Sequence, residues 1–120
     1  MPHIHVEYSA NVEQLDVKPL LLGLNQAMLD GGYVAAAHEV KSRAICQHDF
    51  VIGLNDPEQA YIHIKVSLLT GRSIELQTEI SQKLLSVAKV LIPPQKVNLQ
   101  LCVEILEMPK ATYSKSILVG

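Results

Sequence analysis

Residues 60–75 read Ala60-Tyr61-Ile62-His63-Ile64-Lys65-Val66-Ser67-Leu68-Leu69-Thr70-Gly71-Arg72-Ser73-Ile74-Glu75. The first nine alternate. Ala60, Ile62, Ile64, Val66 and Leu68 fall on one side of an extended chain, and Tyr61, His63, Lys65 and Ser67 on the other. That is the period of a half-buried strand. Thr70-Gly71-Arg72-Ser73 breaks it. Ser73 reads as a helix N-cap, and Glu75 is well placed near the positive end of the helix that follows. Ile80, Leu84, Val87, Ala88 and Leu91 then form one apolar helical stripe, which Pro93-Pro94 stops. A last strand sets Val97, Leu99, Leu101, Val103 and Ile105 against Asn98, Gln100, Cys102 and Glu104. The second half of the chain is therefore a β-α-β unit.

The first half carries the same order. Ile4, Val6 and Tyr8 alternate with His3, His5 and Glu7. Asp16 is a plausible N-cap, and Pro19 is tolerable in the first helical turn. Leu20, Leu24, Ala27 and Met28 lie on one helical face, and Gly31-Gly32 ends the helix. A second strand is expected from about His38 to Cys46, with Val40, Ser42, Ala44 and Cys46 on one face and Lys41, Arg43 and Ile45 on the other. Asn55-Asp56-Pro57 is a turn signal between the halves. The expected fold is α+β: two β-α-β units in a four-stranded sheet with both helices on one face. We expect a single domain over 1–120, with structural halves of about 1–56 and 57–120. Two helices cover only one sheet face. The other face is polar, with His3, His5, Glu7, Tyr61, His63, Lys65, Asn98, Gln100 and Glu104 on it.

Composition excludes several classes. No apolar run approaches the ~18 residues of a membrane span, so no membrane association is expected. The start, Met1-Pro2-His3-Ile4-His5, lacks the order of a secretory signal, and two cysteines make no disulfide framework. A cytoplasmic location follows as an expectation. A net charge of −2 with no Lys/Arg cluster argues against a nucleic-acid partner. One Phe and no Trp leave the core to Leu, Ile and Val.

Four residues carry candidate chemistry. Loss of Met1 would leave Pro2 with a free secondary amine. An α-amino group has a pKa of about 7.7–8.0. Burial and nearby cations lower it, and a neutral amine near pH 7 is a competent general base. Arg72 sits where a helix begins. A cation there opposes the macrodipole, but helix-end amides and a guanidinium together suit a carboxylate. Lys41 and Arg43 share one face of the second strand and suit a second carboxylate or an edge-strand role. His3 and His5 form an H-x-H pair, yet no Asp or Cys at ligand spacing supports a metal, and none is expected.

The opening Pro2-His3-Ile4-His5-Val6-Glu7-Tyr8, the segment Lys41-Ser42-Arg43, the strand Ala60-Tyr61-Ile62-His63-Ile64 and the run Gly71-Arg72-Ser73-Ile74-Glu75 occur in that order. Together they resemble the 5-carboxymethyl-2-hydroxymuconate isomerase family of the tautomerase superfamily, from Pro2 to about Glu107. The resemblance implies a cofactor-free, homotrimeric isomerase acting on a small unsaturated 2-hydroxy or 2-oxo acid in aromatic-compound catabolism. It implies Pro2 as the catalytic acid and base, Arg72 binding a substrate carboxylate or polarising the 2-oxo group, and Lys41 or Arg43 as the second carboxylate ligand. Lys41 departs from the family's pattern, where Arg-Ser-Arg is expected. A lysine is a point charge, not a planar fork. The tail after Met108 matches poorly. Two alternatives share the element order: a non-enzymatic ferredoxin-like ligand-binding module, and another superfamily reaction such as dehalogenation. Strand pairing bears on the first, since a double β-α-β sheet of this kind pairs its two units side by side.

Overall fold

The strand pairing decides the architecture. The computed structural model describes residues Met1–Gly120, in the order β1 (His3–Ser9), α1 (Val17–Asp30), β2 (Lys41–Gln47), β3 (Gln59–Leu69), α2 (Ile74–Leu91) and β4 (Asn98–Met108). The sheet runs β2-β1-β3-β4. β1 is parallel to β2, and β3 is parallel to β4. The central pair, β1 with β3, is antiparallel, with Val6 opposite Ile64. Each β-α-β unit thus pairs its own two strands. A ferredoxin-like sheet splits its units, so that architecture is excluded.

The alternation read in the sequence sets which residues go inside. Ile4, Val6, Ile62, Ile64 and Val66 face α1 and α2, and all are 1% exposed or less. Leu20, Leu24 and Met28 of α1 and Ile80, Leu84 and Ala88 of α2 meet them, equally buried. The core is aliphatic, as the shortage of aromatics requires. Each large side chain so buried contributes roughly 1.5–3 kcal/mol.

Two local expectations need correction. β2 begins at Lys41, not near His38, because residues Ala37–Glu39 close a short 3-10 turn. Its bonds, from Glu39 N to Ala36 O and from Val40 N to Ala37 O, satisfy the backbone before the strand starts. Asp16 does occupy the N-cap of α1, but its side chain makes no capping bond. Ser73 caps α2 as expected, its Oγ accepting from Leu76 N at 3.1 Å. No helix is long and apolar enough to cross a membrane.

Candidate active site

The antiparallel central pair gathers unlike chain segments at one end of the sheet. β1 and β2 start there, β3 and β4 finish there, and the helices contribute the end of α1 and the start of α2. Pro2, Lys41 and Arg72 all sit at this end, and Arg43 is one strand repeat further in. Pro2 and Arg72, 70 positions apart in sequence, are thereby brought to one edge by topology alone.

Pro2 is the residue before β1, and its ring is less than 2% exposed. Its carbonyl accepts from Lys41 N at 3.1 Å, which continues the β1–β2 ladder beyond the strand. The chain's free amine belongs to Met1 and donates to Glu39 O. Lys41 Nζ donates to the same carbonyl at 2.6 Å. Burial, Lys41 and Lys115 together lower the amine's pKa from 8.0 to about 5. The Met1 amine is therefore largely neutral at pH 7.

Arg72 stands in the turn between β3 and α2. Its Nη1 donates to Leu69 O at 3.3 Å and its Nη2 to Tyr33 O at 3.5 Å. Gln77, one turn into α2, donates to Arg72 O at 3.1 Å and to Glu107 Oε1 at 2.8 Å. The guanidinium is thus tethered to the end of β3 and to the loop after α1 while its remaining donors stay available. Gly71 beside it has a φ of +122°, a backbone state that L residues rarely adopt. A Cβ there would lie 3.1 Å from Lys110 Nζ, so the missing side chain lets that ammonium rest on the turn.

Arg43 points onto the open, polar face. It contacts His3 Nδ1 at 3.4 Å and also His5 Nε2. A guanidinium has donors only, so both ring nitrogens must offer lone pairs to it. Burial, together with Arg43 and other cations, lowers the pKa of both histidines. A cation between His3 and His5 is incompatible with a shared metal, and no group of three metal-binding side chains exists in the structure. Further along this face His63 pairs with Glu104 at 2.7 Å and Lys65 with Glu7 at 3.0 Å. His5, Glu7, Arg43 and Ile45 help line a shallow groove of about 310 Å³. The largest groove, about 470 Å³, lies between α1 and α2 and includes none of these residues.

The tail supplies residues that periodicity could not find. After β4 a 3-10 turn, Lys110–Thr112, folds back on the sheet end. Thr70 N donates to Met108 O at 3.0 Å, and Lys110 N donates to Thr70 Oγ1 at 3.4 Å. Tyr113 then reaches His3, with its hydroxyl 3.0 Å from Nε2. Single contacts of this kind leave no repeating pattern in a sequence.

The model of the 5-carboxymethyl-2-hydroxymuconate isomerase family matches residues 2–118. The chain belongs to this family. Among solved structures, a 5-carboxymethyl-2-hydroxymuconate isomerase from Deinococcus radiodurans R1 superposes on this family member with a TM-score of 0.82 at 24% identity, covering 96% of this chain and 88% of the other. A 5-carboxymethyl-2-hydroxymuconate delta-isomerase gives 0.83 at 21% identity, covering 98% and 88%. A fused 4-OT symmetric trimer gives 0.72 at 19% identity, covering 95% and 91%. At these identities the likeness is one of fold, the tautomerase fold of paired β-α-β units. No curated protein matches the chain. The family assignment makes this an isomerase-family chain.

Proposed function

We propose that the chain is a cofactor-independent tautomerase. Its substrate is 5-carboxymethyl-2-hydroxymuconate or a close unsaturated 2-hydroxy or 2-oxo acid. Pro2, exposed by loss of Met1, acts as general base and then general acid. Lys41, Arg43 and Arg72 provide the cations for the substrate's carboxylates and 2-oxygen. The observation that carries this reading is the placement of Pro2, buried at the sheet end with its carbonyl on Lys41 N at 3.1 Å, where the preceding Met1 amine is already lowered to about 5 by burial, Lys41 and Lys115.

The chemistry needs one group that removes a proton from the 2-hydroxyl and returns one to carbon. A neutral Pro2 nitrogen takes the hydroxyl proton, and the electrons move through the diene as the 2-oxo group forms. The protonated nitrogen then delivers the proton to the distal carbon of the dienolate, regenerating the free amine. Desolvation and adjacent cations keep the amine neutral between turnovers. The same cations stabilise the negative charge that develops on the 2-oxygen. Lys41 stands beside Pro2, its backbone N on Pro2 O and its Nζ on Glu39 O. It supplies a point charge where a fork would give two directed bonds.

The reading includes a homotrimer, with the polar sheet faces turned toward neighbouring subunits. That face carries the His63–Glu104 and Lys65–Glu7 pairs and no covering helix.

The test combines intact-mass measurement with an ultraviolet assay of ketonisation. The active protein should lack Met1. Pro2→Ala should lower kcat by about 10²–10⁴-fold, the usual contribution of general acid–base catalysis. Equal turnover by the wild type and Pro2→Ala overturns the proline mechanism.

A further inference from the structure

His3 joins three parts of the molecule through one ring. Its Nδ1 faces Arg43 Nη1 at 3.4 Å, and its Nε2 faces the Tyr113 hydroxyl at 3.0 Å. The two rings meet edge to face, with centroids 6.2 Å apart and planes at 66°. The proton positions follow from Arg43. A guanidinium cannot accept, so Nδ1 must carry the lone pair. A neutral imidazole then bears its proton on Nε2 and donates it to the tyrosine oxygen. That oxygen is occupied as an acceptor, and its own O–H remains unspent. A hydroxyl that accepts one bond becomes a stronger donor in the next.

The tyrosine is held from a second direction. The 3-10 turn before it closes with Tyr113 N donating to Lys110 O at 3.4 Å, and Lys110 N is fixed on Thr70 Oγ1. Two residues past Tyr113, Lys115 is near enough to the chain's amine to lower its pKa. The tail therefore lies over the same sheet end as Pro2, Lys41 and Arg72, and it is half-buried only at Tyr113.

We infer that Tyr113 is a substrate-binding residue of this site, donating its O–H to a substrate carboxylate, and that His3 is the positioning residue that aims it. This rests on the acid substrate proposed above. His3 acts twice, since the nitrogen that accepts from Arg43 also sets the tautomer that holds Tyr113.

Binding of muconate, which lacks the 2-hydroxyl and has no proton to move, separates this inference from the proline mechanism. The measurement is calorimetry on the full chain. Tyr113→Phe keeps the ring and the turn but loses the donor, and it should weaken muconate binding about tenfold, as expected for a bond to a charged acceptor. In the ketonisation assay it should raise KM with kcat little changed. His3→Ala should weaken binding by a similar factor. His3→Gln, which offers an acceptor and a donor on one amide, should restore binding to within about threefold. The double variant His3→Ala/Tyr113→Phe should bind no more weakly than either alone, because the two act in series. Wild-type affinity in Tyr113→Phe overturns the inference, whatever Pro2→Ala does to turnover. Additive losses in the double variant overturn the positioning role of His3. Failure of the wild type to bind muconate at all removes the carboxylate site itself.

Discussion

Arg72 uses two of its donors on the protein, at Leu69 O and Tyr33 O. Those bonds explain why an arginine is tolerated at a helix start that favours an acid. The backbone carbonyls at the end of β3 and in the loop after α1 offset the helix end, and the guanidinium is aimed before any ligand arrives. Arg72→Ala should therefore lower kcat/KM by about 10–100-fold, the range for bonds to a charged partner. Arg72→Lys should recover only part of the loss, because an ammonium cannot span both carbonyls and a carboxylate. Steady-state kinetics with the ketonisation substrate checks both. Arg72 was legible in the sequence, since a cation between Gly71 and an N-cap serine contradicts local preference. Lys41 and Arg43 were legible only as a pair on one strand face. Their separate partners, Glu39 O for one and two histidines for the other, depend on β1 and the 3-10 turn packing beside them. Tyr113 was not legible, because its role depends on a single bond 110 residues away in sequence.

At the scale of elements, alternation and helical stripes located all four strands and both helices. What they missed were segments held by local turns. The start of β2 moved to Lys41 because a 3-10 turn satisfies its own backbone. The tail turn escaped for the same reason. The β3–α2 junction is the element on which the candidate site most depends, since its geometry places Arg72 and leaves room for Lys110. Gly71→Ala forces an L side chain to a φ of +122° and presses a methyl toward Lys110 Nζ. The expected loss is about 1–3 kcal/mol of stability, the usual range for such strain. A urea denaturation midpoint indistinguishable from wild type would contradict it.

For the whole molecule, pH dependence and assembly carry the predictions. Burial lowers the pKa of the Met1 amine, to about 5, and of His3 and His5. Between about pH 8 and 5 the unfolded chain then binds more protons than the folded one, so stability should fall as pH falls. The Lys65 bond holds Glu7 below its ordinary range and extends that loss to lower pH. Burial raises Tyr8 and Tyr33, so stability should also decline above about pH 10. Calorimetric Tm values for the Met1-bearing chain across pH 5–8 check the sign, and a flat profile would refute it. The proposed trimer should sediment at three times the 13.2 kDa chain mass. A monomer at micromolar concentration would leave the polar sheet face facing water. The antiparallel meeting of β1 and β3 has one more effect. It relates the two β-α-β units by an approximate twofold axis, so the opposite end of the sheet is a structural echo of the candidate site. There β3 begins in the middle of the polypeptide, and Gln59 is joined to Glu58 by an ordinary amide. A peptide nitrogen has no basicity at neutral pH. Joining two units in one chain therefore silences one of two matching ends, and a chemistry that needs a terminal amine occurs once per pair of units.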